Sequence, residues 1–334
     1  MLRFVVRRLL WLIPTLLALS FLLFAWLRSL PGGPSSALLG DKATPERIAA
    51  LDKTLGLDQP IPLQYLRFLG RIVTGDFGAS LSSSQPVVSE LSAAFPATIE
   101  LSVAALIFAV GLGIPLGYLA ARRRGGFFDN TTIIGTLVGV SVPVFFLGFM
   151  GQKIFASGLG WLPVSGRFTA GVDHTKITGF LTVDAVLTRE WDVLGDSLWH
   201  LLLPALVLGT IPLAVIVRIT RAAVLDVVNE DYVRTAEAKG LHARTVRGRH
   251  IMRNALLPVS TTIGLQTGLL LAGAVLTEKV FAWGGLGSLL AEGINRRDYP
   301  RLQALILVAA AVYVLVNLLV DISYAVIDPR VRVR

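Results

Sequence analysis

Residues 229–258 read NEDYVRTAEAKGLHARTVRGRHIMRNALLP, the one long charge-dense segment between two strongly apolar ones. Asn229 and Asp231 are residue types that start helices, and Tyr232 to Lys239 contains good helix formers. Tyr232, Val233, Ala236 and Leu241 supply an apolar stripe. Gly240 permits a sharp turn, because glycine takes positive φ freely. Leu241 to Arg253 is then suited to a second short helix bearing Arg244, Arg247, Arg249 and Arg253. From these residues alone two readings stand. One is a compact knob of two helices meeting at a glycine; the other is a solvated loop held at lipid headgroups by arginine.

The flanks decide the class. The 334-residue chain is 54% hydrophobic, and its mean hydropathy is +0.68. The apolar residues come in blocks close to the ~20 needed to cross a bilayer core. Leu9 to Leu27 is the first block, after Arg3, Arg7 and Arg8. It is long for a signal peptide and lacks a small-residue cleavage site, so it reads as an uncleaved span. Further spans are expected at Ile99 to Ala121, Thr131 to Ala156 (interrupted by Pro143), Ser197 to Val217, Ala255 to Leu276 and Leu302 to Ile327. The expected fold is all-α, a polytopic membrane protein of six transmembrane helices.

Charge sets the orientation. Residues 1–8, 122–130, 218–254 and 327–334 hold 17 Lys and Arg against 6 Asp and Glu. The remaining polar segments hold 14 against 15, with Asp321 inside the last span. The positive-inside rule therefore puts the first set, and both termini, in the cytoplasm of a bacterial-type plasma membrane. The net charge of +9 is accounted for by topology rather than by nucleic acid.

Residues 31–98 form a long external excursion. Thr44-Pro45-Glu46 reads as an N-cap and first helical turn, and Gly56 as its end. Ile61 to Val73 is a second amphipathic piece with Tyr65, Leu66, Leu69 and Ile72 as its apolar side. Residues 157–196 form a polar loop with Asp173, Asp184, Glu190, Asp192 and Asp196.

Polar residues also occur inside spans. Thr262 and Gln266 share one helical face, with Ser260 and Thr267 on a neighbouring stripe. They fit either a translocation path or helix–helix hydrogen bonding. Pro115, Pro143, Pro204 and Pro212 fit helices that bend or enclose a cavity. Asp321 reads as a structural acid paired with a nearby arginine, a proton relay being the other reading.

The chain has no phosphate-binding Gly-Lys-Ser/Thr loop, no zinc-protease helix motif and no nucleophile elbow. It has no cysteine, and His174, His200, His242 and His250 are scattered. No catalytic residue, cofactor site or metal site is expected. A membrane hydrolase would need a nucleophile and base at membrane depth. A gradient-driven secondary transporter is the rival from another class.

The run Asp231-Tyr232-Val233-Arg234-Thr235-Ala236-Glu237-Ala238-Lys239-Gly240-Leu241 resembles the EAA loop of ABC importer permeases. Its form is that of the dipeptide/oligopeptide/nickel group, B-type subunit. The resemblance extends through Leu55-Gly56-Leu57-Asp58-Gln59-Pro60, Gly75-Asp76-Phe77-Gly78 and Phe95-Pro96-Ala97-Thr98-Ile99-Glu100-Leu101. Trp161-Leu162-Pro163-Val164-Ser165-Gly166, Arg253-Asn254-Ala255-Leu256-Leu257-Pro258, Glu278-Lys279-Val280-Phe281 and Asp328-Pro329-Arg330 continue it. The general pattern's Glu-Ala-Ala falls on Arg234, Thr235 and Ala236, and its later proline on Arg253.

The resemblance implies a type I importer fold. It divides the chain into a first helix (1–30), an external helical region (31–98), a core of five spans (99–327) containing the coupling loop 222–254, and a basic tail (328–334). It implies a paralogous permease, two ATP-binding cassette subunits carrying ATP and Mg²⁺, and an extracytoplasmic solute-binding protein. The ATPases would dock on Asp231 to Leu241. The substrate would be a di- or oligopeptide, with nickel or another small solute as the alternative.

Overall fold

The computed structural model describes residues 2–29 and 33–327, without the side chains of 2–9, 11, 12, 27, 55, 271–273 and 319–327. Asp321 therefore has its helix described but not its side chain, and Leu30-Pro31-Gly32 and the tail 328–334 lie outside the described residues. Every element named below is helical, and the only pairing of extended chain among the described residues is one bridge between Ala79 and Pro86.

The chain runs through α1 (Leu2–Ser29), α2 (Gly33–Leu39), α3 (Pro45–Leu55), α4 (Ile61–Val73), α5 (Val87–Arg122), α6 (Phe127–Ser141), α7 (Val144–Gly151), α8 (Leu181–Thr188), α9 (Trp191–Leu208) and α10 (Thr210–Val228). It continues through α11 (Asp231–Ala238), α12 (Ala243–Thr245), α13 (Arg253–Gly273), α14 (Val275–Val280), α15 (Leu286–Asn295) and α16 (Tyr299–Ile327). By length and hydropathy, Val87–Arg122, Trp191–Leu208 and Tyr299–Leu318 are each fit to cross a membrane, and the bent pair α6–α7 adds a fourth. In α1 the described apolar stretch is Ile13–Trp26.

α5 is the axle of the bundle. Its 36 residues rise about 54 Å, well beyond a hydrocarbon core of about 30 Å. Small residues let α10 come close: a methyl added at Gly113 would stand 2.8 Å from Ile216 Cγ2, and one at Gly117 would stand 2.6 Å from the Val217 carbonyl. Such small-residue seams replace the hydrophobic drive that lipid removes.

The breaks differ from those expected. Pro96 and Pro115 sit inside α5, and Pro204 inside α9, without ending the helix. Pro143 does break the third apolar run, bending it by 99° between α6 and α7. The fourth expected span, Ser197 to Val217, is two helices that meet at Gly209. Gly209 is packed so tightly on α5 that an added methyl would meet Phe108 Cδ1 at 2.7 Å and the Ala105 carbonyl at 2.9 Å.

The external pieces largely match their local signals. Thr44 Oγ1 accepts from the Arg47 N–H at 3.4 Å, Pro45 opens α3, and Gly56 ends it at φ +64. In α4 the inward face is Gln64, Tyr65, Phe68 and Ile72 rather than a stripe containing Leu66, which is 61% exposed. Positions 65, 68 and 72 share a side at helical spacing, and 66 falls opposite.

The end of α5 away from Arg122 is tied by buried charge. Arg301, 3% exposed, forms two hydrogen bonds to Glu90 (2.8 and 2.9 Å) and lies 3.8 Å from Asp298. Asp298 in turn accepts from the Ser80 hydroxyl (2.6 Å) and from the Ser82 N–H and hydroxyl. Near that end, segment 166–196 is closed by a repeated clasp in which a threonine gives both its N–H and its hydroxyl to one carboxylate. Thr169 does so to Asp196, Thr175 to Glu190, Thr178 to Asp184 and Thr182 to Glu100. Arg167 pairs with the other oxygen of Glu100.

Candidate functional site: the helical knob at the other end of α5

The knob is built on three helix ends. α10 continues to Val228, eleven residues past the expected limit of its span. The chain turns through Asn229, whose Nδ2 donates back to the Leu225 carbonyl at 2.9 Å, so Asn229 closes α10 rather than opening α11. Glu230 is the N-cap of α11 by backbone, in extended conformation.

Gly240 ends α11 as the sequence indicates. Its φ is +70, and the Leu241 N–H donates to the Ala236 carbonyl while the Gly240 N–H donates to Glu237. These are the two bonds of a Schellman close, which needs a left-handed residue at this position. The second helix is not separate. From Ala243 the helix passes through a wide π-type turn (Val246–Met252) directly into α13, so the polar arm and the apolar span are one continuous piece.

α11 is held by its inner face alone. Val233 and Ala236 are 2% and 5% exposed, and they pack with Ala121, Val224, Val246, Ile251 and Ala255. Tyr232 Oη accepts from Asn254 Nδ2 at 3.0 Å, fastening α11 to α13. Tyr232 and Leu241 are each 41% exposed, so they leave the buried stripe the sequence assigned them. Asp231, Arg234, Thr235, Glu237, Ala238, Lys239 and Gly240 are exposed. Their one ion pair, Arg234 with Asp231 at 3.8 Å, is between exposed groups and worth little. Beside α11 runs a groove of about 420 Å³ lined by Tyr118, Arg122, Val228, Glu237, Leu241 and Arg247.

Two residues that the motif reading missed brace this end. Arg221 of α10 makes two hydrogen bonds to Asp129 of α6, at 2.5 and 2.8 Å, and the Gly125 N–H adds a third at 2.9 Å. Asp129 is 1% exposed. The signal in sequence was slight: one acid just after a basic turn.

The polar residues of α13 do not converge. Thr262 and Gln266 lie half-buried beside exposed Leu265 and Leu269, whereas Ser260 and Thr267 flank the side where Gly268 abuts Tyr313 of α16. The hydroxyls of Ser260, Thr262 and Thr267 donate to carbonyls of their own helix. Among the described residues no group of three or more His, Asp or Glu is placed to hold a metal.

The site is thus a clamped, exposed polar helix on one end of an all-helical bundle with several helices apolar enough to cross a membrane. The chain belongs to the family described as binding-protein-dependent transport system inner membrane component, whose model matches residues 113–333; the N-terminal model of the same family matches residues 1–102. It is thus an ABC importer permease of the B type. It is 47% identical to the di/tripeptide transport system permease protein DppB of Pseudomonas aeruginosa, over 99% of each chain. It is also 47% identical, over 99% of each chain, to the dipeptide transport system permease protein DppB of Escherichia coli. The glutathione transport system permease protein GsiC of Salmonella paratyphi A is 39% identical over 99% of each chain.

Proposed function

We propose that this chain is the pore subunit of an ATP-driven importer of short peptides, gripped by its ATPase through α11. The observation that carries the reading is the construction of that helix. Its inner face is fixed by apolar packing to α5, α10 and α13, and its polar side chains Asp231, Arg234, Thr235, Glu237 and Lys239 are exposed. A lever must hold its shape while presenting a surface, and α11 does both. Motion imposed on it passes to α13 through packing on Ala255 and through the Tyr232–Asn254 bond, which suits rigid-body switching between two packed states.

The peptide substrate rests on the relatives, named for dipeptide, di/tripeptide and glutathione transport. The chain is read as six spans with both termini cytoplasmic, α11 inside and segments 33–86, 159–190 and 281–298 outside. ATP and Mg²⁺ belong to two cassette subunits. A paralogous permease completes the pore, and a solute-binding protein delivers the peptide.

Co-purification from the native membrane, read by mass spectrometry, tests the assembly. Two ATPases, or one as a dimer, with a second permease are expected. A homo-oligomer without an ATPase overturns it. Gly240→Val tests the coupling. A β-branched residue at φ +70 is strained, while no neighbouring atom blocks the added carbon. Peptide uptake per ATP hydrolysed should fall at least tenfold with the protein still inserted. Wild-type uptake would remove the turn from the mechanism.

A further inference from the structure

α4 does not stand apart from the membrane part of the chain. Tyr65 Oη donates to the Leu17 carbonyl at 3.1 Å and lies 2.9 Å from Ser20 Oγ. Leu17 and Ser20 sit in the middle of the apolar run of α1. The Tyr65 ring meets Phe21 and Phe24 edge-on, with centroids 5.6 and 5.2 Å away, and Phe24 meets Phe68 at 5.5 Å. α4 therefore lies along the half of α1 that ends at Arg28. Its other face carries Leu63, Leu66 and Val73, 43%, 61% and 84% exposed, and Phe21 and Leu22 of α1 are exposed as well. An apolar face at this depth matches acyl chains and not water.

Between α1, α3 and α4 lies a cavity of about 270 Å³, apolar where Phe24, Leu38, Leu51 and Phe68 line it. Arg28, Arg71 and Asp76 also line it, and the Asp76 charge acts on Arg71. The Arg28 guanidinium stacks 3.8 Å over the Phe24 ring. Gln64, 7% exposed, lines the same cavity. Its Nε2 donates to the Leu57 and Gln59 carbonyls at 2.9 and 2.5 Å, and its Oε1 has no partner. Two guanidinium groups fit a phosphate, the unpartnered Gln64 Oε1 and the Asp76 carboxylate fit an ammonium, and the apolar wall fits an acyl chain.

We propose that α4 is immersed in the outer leaflet and that this cavity holds a phosphatidylethanolamine, its phosphate at Arg28 and Arg71, its ammonium at Gln64 Oε1 and a chain against Phe24 and Phe68. The proposal rests on the reading of α1 as the first span. The bound lipid fastens the external helices to α1 at the height where that span leaves the bilayer.

The absence of cysteine makes the test direct. Leu66→Cys, Val73→Cys and, on α1, Leu22→Cys are introduced singly into the complete transporter, spin-labelled, and reconstituted in phosphatidylethanolamine–phosphatidylglycerol vesicles. Accessibility to oxygen and to a water-soluble nickel chelate is then compared. All three labels should favour oxygen several-fold. Nickel preference at Leu66 and Val73 with oxygen preference at Leu22 overturns the immersion of α4. Shielding of Leu66 from both reagents makes the partner permease the occupant and overturns it too. Nickel preference at Leu22 instead overturns the first span. For the lipid, native mass spectrometry of the detergent-extracted complex should show retained phosphatidylethanolamine, reduced at least fivefold in Arg28→Gln/Arg71→Gln and kept in the double lysine variant. Equal retention in the glutamine variant, equal retention of phosphatidylglycerol, or displacement by millimolar inorganic phosphate overturns the site.

Discussion

Segment 166–196 and α11 are both polar, both lie outside the apolar runs, and are built in opposite ways. In the first, four threonines give N–H and hydroxyl to four carboxylates, three of the segment's own and Glu100 of α5. In the second, two buried apolar side chains and one tyrosine hydroxyl hold the helix, and every charged group faces solvent. The contrast separates a region whose shape is its product from a region whose surface is its product. Carboxylates bound in this way are not open to a partner; apolar anchoring leaves the polar face of α11 exposed.

Four measurements sharpen or break this contrast, in falling order of effect. Arg301→Met strips the cation from Glu90 and from fully buried Asp298, and breaking such a group costs about 3–5 kcal/mol. A drop in the thermal midpoint of the purified complex is expected, with the coupling ratio of surviving molecules intact; an unchanged midpoint would deny the far end its structural role. Thr178→Val removes the hydroxyl that meets Asp184 at 2.6 Å, a bond to a charged group worth about 1.5–3 kcal/mol. Tryptic cleavage at Lys176 and Arg189 should quicken about tenfold or more, and an unaltered rate would show the clasp to be incidental.

Acid is a third probe. Burial pushes the Asp184 carboxyl up, but the Thr178 hydroxyl and the N–H groups of Thr178, Gly179 and Ile177 outweigh it and hold the group below the ordinary aspartate range. The Thr175 hydroxyl and N–H hold Glu190 below the usual glutamate range. A carboxylate lowered by folding lends stability that is complete above its unfolded pKa, about 3.9–4.3, and is lost as pH falls through the lowered values. Protection of the amides in 166–190, measured relative to unstructured exchange at the same pH, should therefore be as high at pH 5.5 as at pH 7 and lower at pH 3. Lower protection already at pH 5.5 would place the protecting groups elsewhere. The smallest effect belongs to the knob. Tyr232→Phe loses only the Asn254 bond, about 0.5–1.5 kcal/mol. It should leave the thermal midpoint unchanged and lower uptake per ATP less than Gly240→Val does; a larger loss of stability than Thr178→Val would reverse the contrast.

The sequence made legible what local chemistry decides. The apolar runs followed from hydropathy, and Thr44, Pro45, Gly56 and Gly240 each act within a turn of their own position. The resemblance around Asp231 to Leu241 located the knob, though not its construction. Tyr232 and Leu241 looked like core, and lie at its edge because α11 is only eight residues long and buries one narrow stripe. What long-range packing decides stayed hidden. Glu90 and Arg301 are 211 positions apart. The break at Gly209 lies where the chain presses on α5 and three residues before Pro212, whose missing N–H leaves the Leu208 carbonyl without its helical donor. The acids of 157–196 read as a solvated loop, since spacing alone does not reveal that a threonine faces three of them.

One dimension of α5 sets a mechanical scale. The helix touches the knob through Ala121 at one end, and carries Glu90 of the buried charge cluster near the other. Its tight glycine contact with α10 at Gly117 lies five residues from the Arg122 end and thirty from the Val87 end. By helical rise these are arms of roughly 7.5 and 45 Å. Under the proposed docking at α11 the short arm is the driven one, and a displacement there, if Gly117 is the pivot, is multiplied about sixfold at the other end.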